Sequence, residues 1–176
     1  MDKILDFFKK EPEREFHIRE LAKLTKKSPS TISKYLSKLE KDNLLTSRFK
    51  FNHKLFKANS ENPSFKDIKL FYNIELLRNS GLMDHLIKEF NHTEAIVLFG
   101  SFRKAENDQH SDIDILIITQ LKKELNLTKY EKLLDIKIQL FLYSNSDIDK
   151  LKNKNKELLN NLVNGIVLYG FWEVFK

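Results

Sequence analysis

Two short polar segments, separated by ten residues, interrupt apolar runs in the second half of the chain. Gly100 and Ser101 end one apolar run, and Asp112 and Asp114 open the next. Side chains two apart in a strand project from the same face, so the two carboxylates lie side by side. They repel each other unless a cation lies between them, and Mg²⁺ prefers carboxylate oxygens. The pair is therefore a candidate magnesium site, although taken alone it favours an ordinary strand without a metal.

The Gly-Ser step has the properties of a phosphate-binding turn. Gly100 lets the backbone approach a ligand closely, and Ser101 offers a hydroxyl and an amide N–H at the start of a helix. Arg103 and Lys104, which follow, can neutralise phosphate charge. The alternative is an ordinary strand whose first turn is capped by Ser111 and Asp112, with Asp114 half-exposed at a sheet edge and no ligand. The two features together favour a nucleotide site.

The second half of the chain alternates strand and helix patterns around these residues. The predicted strands are 94–100, 112–119, 136–143 and 165–170. The predicted helices between them are 128–135 and 146–164. This alternation is typical of an α/β domain with a small sheet.

The first third of the chain has the pattern of three helices followed by a β-hairpin. The predicted apolar faces are Ile4, Leu5, Phe7 and Phe8, then Ile18, Leu21, Ala22 and Leu24, then Ile32, Leu36 and Leu39. Ser28 is the predicted N-cap of the third helix and Pro29 its first residue. Two β-leaning runs then flank a turn at Asn52 and His53. This order is that of a winged helix-turn-helix.

Basic charge is concentrated in this first third. Residues 1–60 carry 15 Lys and Arg against 8 Asp and Glu, whereas residues 61–176 carry 16 against 17. A basic module on a nearly neutral body predicts contact with double-stranded DNA through the third helix and the hairpin. The alternative is a docking or dimerisation module with solvated lysines. The predicted DNA-binding residues are Ser30, Thr31, Ser33, Lys34 and Lys38 on the helix, and Arg48, Lys50 and Lys54 on the hairpin.

A polar stretch at Pro63 marks the boundary of this module. We predict a winged helix-turn-helix domain at 1–60, a helical connector at 61–92 and a third segment, the α/β domain, at 93–176. A long helix in the connector is expected to stop at Gly81. The residues to test there for contact with a second copy of the chain are Phe71, Tyr72 and Leu76.

The stretch "LFGSFRKAENDQHSDIDILII" resembles the Gly-Ser and Asp-x-Asp signature of the nucleotidyltransferase superfamily that includes DNA polymerase beta. It is most similar to the small members from bacteria and archaea, some of which carry an N-terminal winged helix. The resemblance implies an α+β chain, with a winged helix-turn-helix and a small α/β nucleotidyltransferase domain containing a short mixed sheet. It also implies Mg²⁺-dependent binding of ATP or another NTP, and transfer of a nucleotidyl group to a hydroxyl.

The resemblance also assigns roles to residues. The triphosphate would be held by Gly100 and Ser101, and the catalytic metals by Asp112 and Asp114. Family members usually add a third carboxylate on the next strand, where this chain has Gln139. Asp135, four residues earlier, reaches that position only if the strand register is shifted. Ala105 stands where the family usually has a glycine.

Composition limits the possible chemistry and cellular location of the protein, and three hypotheses for its function remain. The chain has no cysteine, which excludes a disulfide framework, a Cys-ligated zinc and a thiol nucleophile. Without a membrane-spanning run or a signal peptide, we expect a cytoplasmic protein. The first hypothesis is a DNA-associated nucleotidyltransferase. The second is a transcription regulator whose nucleotidyltransferase fold is retired from catalysis and senses nucleotide or builds a homodimer. The third is an antitoxin-like partner that modifies or sequesters a toxin.

Overall fold

The computed structural model describes residues 3–91 and 93–174, and the chain divides into two compact units. The first unit ends at Lys69 and the second begins at Leu70. The predicted domain limits at residues 1, 92 and 176 lie outside the described residues. None of the helices in the described ranges is both long and apolar enough to cross a membrane.

The first unit has the element order of a winged helix. Its elements are α1 (Lys3–Lys10), β1 (Phe16–His17), α2 (Ile18–Thr25), α3 (Pro29–Lys41), β2 (Leu45–Lys50), β3 (His53–Ala58) and the first turns of α4 (Pro63–Asn79). The strands form an antiparallel sheet in the order β1-β3-β2. The predicted helices and hairpin are confirmed. Strand β1 was missed because two residues carry no periodic signal.

Local capping and one apolar core account for the helices of this unit. The Ser28 hydroxyl accepts the Thr31 backbone N–H at 3.2 Å, and Pro29 is the first residue of α3, as predicted. The largest side chains of the core are Phe8, Phe16, Leu21, Ile32, Leu36, Leu45, Phe56 and Phe65. Leu24, predicted to lie on the buried face of α2, is 51% exposed. It lies roughly 100° around the helix from the centre of that face.

The hairpin of β2 and β3, called the wing below, turns one residue earlier than predicted. Lys50 pairs with His53, so Phe51 and Asn52 are the two loop residues. Both have positive φ, 48° and 59°. A two-residue turn of this kind matches the right-handed twist of the strands. His53, predicted in the turn, is therefore the first residue of β3.

Residues of α4 belong to both units. Phe65 packs in the core of the first unit, and Leu77 packs in the core of the second. The buried positions shift around the helix between its ends, so no single apolar stripe runs along it. Of the residues predicted for contact with a second copy, Phe71 is 64% exposed, whereas Tyr72 is buried.

The predicted connector is likewise divided between the units and is not a separate segment. Gly81, with φ of 75°, separates α4 from α5 (Leu82–Glu89). Leu82 and Leu86 of α5 are fully buried in the second core. Helix α5 is therefore part of the second unit.

The second unit contains a four-stranded mixed sheet, as predicted. Its further elements are β4 (Ala95–Phe99), α6 (Gly100–Lys104), β5 (Ile113–Ile118), α7 (Thr128–Leu134), β6 (Ile138–Tyr143), α8 (Asn145–Lys154), α9 (Lys156–Val163) and β7 (Ile166–Gly170). The strand order is β6-β5-β4-β7. β5 and β6 are parallel, and the other two pairs are antiparallel.

Helices cover both faces of this sheet. One face packs against α4, α5 and α7 through Ile96, Leu98, Ile113, Ile115 and Ile117. The other packs against α8 and α9 through Val97, Phe99, Leu116 and Ile118. Asp114 alternates with the buried isoleucines on either side of it, so its carboxylate lies on the second face.

Candidate functional site

The strand register of the second unit brings the two predicted polar segments together. Asp114 lies opposite Phe99 on β4 and opposite Gln139 on β6. Gly100 follows Phe99 directly and begins α6. Asp112 precedes β5 and has the same strand parity as Asp114. The Gly-Ser turn and both carboxylates therefore meet at one end of the sheet.

Gly100 is required here by both its backbone and its surroundings. Its φ is +70°, a conformation that residues with a side chain rarely adopt. A Cβ atom at this position would lie 2.2 Å from Asp114 Oδ2 and 3.2 Å from Asp114 Cγ. The glycine thus lets the start of α6 pack directly against the Asp114 carboxylate.

The Asp114 carboxylate lies in an environment that disfavours its charge. Burial first, and the neighbouring charge of Asp112 second, raise the pKa of Asp114 above its ordinary value of 3.8. Within residues 3–91 and 93–174, no Lys or Arg forms an ion pair with either carboxylate. A cation bound between the two would relieve this unfavourable charge.

The loop between α6 and β5 is held by its own hydrogen bonds. Asp108 accepts the His110 backbone N–H at 2.9 Å and the Ser111 hydroxyl at 3.0 Å. These bonds lower the pKa of the Asp108 carboxyl. The loop therefore enters β5 in a defined conformation. The Ser111 side chain, which the alternative hypothesis treated as a cap of the strand, is hydrogen-bonded to Asp108.

The buried side chain of Asn73 on α4 connects α6 to this loop by hydrogen bonds. Asn73 Nδ2 of α4 donates to the Phe102 carbonyl at 2.8 Å and to Asn107 Oδ1 at 2.8 Å. Both asparagines are at most 5% exposed. The sequence marks Asn73 only by its spacing, since it lies four residues before the buried Leu77 on α4. It was not among the predicted site residues.

The two predicted cations of the nucleotide site lie in the last turn of α6. Arg103 is half-buried, and its Nε is buried with no hydrogen-bond partner among the described residues. Lys104 is exposed. Both remain predicted phosphate contacts, with the guanidinium the more constrained of the two.

The predicted DNA-binding residues of α3 lie on its solvent side. Ser30, Thr31, Lys34 and Lys38 are exposed, and Ser33 is half-buried. In the described part of the chain, no carboxylate pairs with Lys34 or Lys38. These two lysines can bind a phosphate without first breaking an ion pair.

Two of the three predicted cations on the wing are already paired. Arg48 donates to Glu15 through Nε and Nη2, the latter at 2.8 Å, and Lys54 binds Glu40 at 2.6 Å. These bonds lower the pKa of both glutamates. Lys50 has no carboxylate partner among the described residues. Of the three, Lys50 can therefore bind a phosphate without first breaking an ion pair to a described residue.

Two family models match the chain. Residues 83–171 match the model described as Polymerase beta, Nucleotidyltransferase, which is just over half of the 176 residues. The chain belongs to this nucleotidyltransferase family. Residues 3–47 match the model described as Bacterial regulatory protein, arsR family, which agrees with the winged helix-turn-helix of the first unit. No curated protein matches the chain at a significant level.

The nucleotidyltransferase domain lacks the third carboxylate that the resemblance implies. Gln139 lies opposite Asp114 on β6, and its Nε2 donates to Asp112 Oδ2 at 2.5 Å. Asp135 lies beyond the end of α7 with φ of 56°. The observed β5–β6 register excludes the shift that would bring Asp135 to the site. Among the described residues, no group of three His, Asp or Glu is placed to hold a metal.

Ala105 departs from the family pattern at a position with a special backbone. It ends α6 with φ of 56°. A glycine adopts this conformation freely, whereas an alanine is disfavoured by about 1–2 kcal/mol. The left-handed conformation explains why a glycine is usual there.

The contact between Gly100 and Asp114 predicts a loss of both stability and ligand binding in Gly100→Ala. The methyl group would displace the carboxylate, and the positive φ alone costs about 1–2 kcal/mol. Urea unfolding followed by the fluorescence of Trp172, the single tryptophan, measures the stability of this unit. Gly81→Ala is the matched control, because Gly81 has φ of +75° but nothing within 4 Å of its Cβ position. Equal losses in the two variants would contradict the packing argument.

The raised pKa of Asp114 predicts that Asp114→Asn stabilises the domain at neutral pH. Ionisation opposes folding above the raised pKa and has no effect below 3.8, where both folded and unfolded states are protonated. The gain should therefore be full at pH 7 and shrink as the pH falls towards 4. Asp135→Asn, at an exposed position that tolerates asparagine, should change stability little. A gain independent of pH would contradict the assignment.

Proposed function

We propose that the protein binds DNA through its winged helix and binds Mg²⁺ with a nucleoside triphosphate through its nucleotidyltransferase domain. The observation that supports nucleotide binding is the packing of Gly100 against the Asp114 carboxylate. Stability alone does not require a glycine with positive φ packed against a half-buried carboxylate pair. A site for a metal-bound triphosphate uses both.

The donor set fits Mg²⁺, which is usually held by one or two carboxylates together with substrate phosphates. Asp112 and Asp114 supply these carboxylates, and the charge that burial disfavours on Asp114 is what a divalent cation would neutralise. When bound, the metal would shield the triphosphate charge and polarise its phosphoryl group. Ser101 would offer its hydroxyl and backbone N–H to the phosphates, and Arg103 its guanidinium.

Transfer to a hydroxyl is the finer part of the proposal. The acceptor oxygen would bond to the α-phosphorus, the bond to the bridging oxygen would break, and pyrophosphate would leave. Gln139 cannot take the hydroxyl proton, which would have to pass to water. Its amide instead orients Asp112, which keeps one carboxylate in place for the nucleotide.

Gln139 also supports a second candidate, a regulator that binds nucleotide without transferring it. An amide in place of the third carboxylate removes negative charge where the acceptor would be activated. Nucleotide binding is common to both candidates, and only transfer separates them. A second copy of the chain and a toxin remain the proposed protein partners.

Calorimetric titration of ATP, GTP, CTP and UTP tests nucleotide binding. We expect saturable binding of at least one nucleotide that requires Mg²⁺ and is lost in Asp112→Asn. The control is Asp135→Asn, which removes a carboxylate outside the site and should leave binding unchanged. Magnesium-independent binding, or binding that survives in Asp112→Asn, would contradict the site.

Gln139→Asp separates transfer from sensing. Restoring a carboxylate opposite Asp114 should raise the rate of nucleotidyl transfer, measured as label from an α-³²P-NTP on an acceptor. The acceptors should include proteins with free Ser, Thr or Tyr hydroxyls, toxins among them. An increase would support a site that is weak only because of Gln139. Transfer absent from both forms would leave the nucleotide-sensing regulator.

DNA binding is tested by the salt dependence of affinity for a mixed-sequence duplex. Lys34→Gln removes one cation that carries no ion pair, so the affinity should fall and the slope of log K against log salt should decrease by about one. Lys132→Gln, at an exposed lysine of α7, is the matched control. If Lys34→Gln leaves the slope of log K against log salt unchanged, the assignment of α3 to the DNA-binding surface is contradicted.

A further inference from the structure

The tip of the wing exposes two large aromatic side chains. Phe49 is 76% exposed and Phe51 is 86% exposed, the latter more than any other large hydrophobic residue described. Both lie at the turn between two six-residue strands, away from the core residues of the hairpin. Grouped apolar side chains on a surface are typical of a binding site.

The stability of the hairpin does not account for Phe51. It occupies the first loop position of the turn with φ of 48°, followed by Asn52 with φ of 59°. Asparagine suits this left-handed conformation, and glycine or aspartate would suit the first position better than a phenylalanine does. The ring is therefore kept where neither the backbone nor the core benefits from it.

Phe49 lies on the side of the wing that faces α3. Ser47 of β2 bonds to Glu40 of α3, and Lys54 of β3 pairs with the same carboxylate. Phe49 has the strand parity of Ser47 and lies directly opposite Lys54. The exposed Phe49 ring thus lies on the same face of the hairpin as the residues that contact α3.

The cation beside the exposed ring points to a polyanion as the occupant of this surface. Of the four Lys and Arg in residues 45–58, three pair with glutamates of the first unit, namely Arg48, Lys54 and Lys57. Lys50, which forms no ion pair among the described residues, has its Nζ 5.7 Å from the centre of the Phe51 ring. An aromatic ring beside an uncommitted cation matches DNA, which presents phosphates on its rim and stacked apolar bases within.

We propose that the wing tip enters the minor groove of DNA and that Phe51 wedges between two stacked base pairs. Lys50 contacts an adjacent phosphate, and Phe49 packs against the sugars beside the opened step. Apolar wedges of this kind unstack a base step and bend the duplex. The inference rests on the proposed DNA binding and adds to it a contact that is apolar and independent of salt.

The test uses the full chain and a mixed-sequence duplex containing 2-aminopurine at A·T-rich steps, in low salt. Unstacking next to 2-aminopurine raises its fluorescence, so the probe reports the wedge, while anisotropy of an end label reports affinity. The variants are Phe51→Ala, Phe51→Leu as an apolar replacement, and Lys34→Gln. Phe171→Ala, which removes another ring, 70% exposed, in the second unit, is the control.

We expect the wild type to raise the probe fluorescence and Phe51→Ala to abolish the rise. Phe51→Ala should bind about tenfold more weakly with an unchanged salt slope, the effect of losing one stacked ring. Phe51→Leu should retain part of the fluorescence rise. Lys34→Gln should lower the salt slope of binding and leave the fluorescence rise unchanged. Phe171→Ala should behave as wild type.

Other outcomes overturn the inference in distinguishable ways. If Phe51→Ala binds DNA with the same affinity as the wild type and raises the probe fluorescence equally, the wedge is refuted. DNA binding itself would then stand. No binding of any duplex by the wild type refutes the DNA function on which the wedge depends. Loss of self-association in Phe51→Ala, seen by sedimentation, would make the tip a contact between copies. Loss of binding to anionic vesicles would make it a membrane contact.

Discussion

The close packing of the Gly100 backbone against the Asp114 carboxylate is the constraint on which the candidate site depends. It follows from the pairing of Phe99 with Asp114, which sets the end of β4 beside the start of β5. Shifting this register by one residue would turn Asp114 towards the isoleucines of the opposite face. The hydrophobic packing of both faces of the sheet therefore holds the carboxylate in place.

The site retains charge that folding alone would remove. Burial and a neighbouring carboxylate make ionised Asp114 unfavourable, and no described cation offsets it. On β6, by contrast, position 139 carries no charge because it is a glutamine, and its amide donates a hydrogen bond to Asp112. Two carboxylates beside a glutamine fit the proposed function, in which nucleotide binding matters more than rapid transfer.

Much of this arrangement could be predicted from the sequence because it depends on local rules. Strand parity puts Asp112 and Asp114 on one face, and Ser28 followed by Pro29 marks the start of α3. The contribution of Asn73 could not be predicted, because it bonds to Phe102 and Asn107, about thirty residues further along the chain. The burial of Tyr72, which was predicted for contact with a second copy, was missed for a related reason, since it depends on tertiary packing around α4. The register that excludes Asp135 likewise depends on pairing between distant strands.

The central claim, that Asp112 and Asp114 hold a metal-bound nucleotide against Gly100 and Ser101, is tested most directly by crystallography. Crystals would be grown with Mn²⁺ and a non-hydrolysable NTP, and the metal located by its anomalous scattering. The account predicts an anomalous peak bound by both carboxylates, with the phosphates against the Gly-Ser turn. Nucleotide bound elsewhere on the chain, or a metal that contacts neither carboxylate, would contradict it.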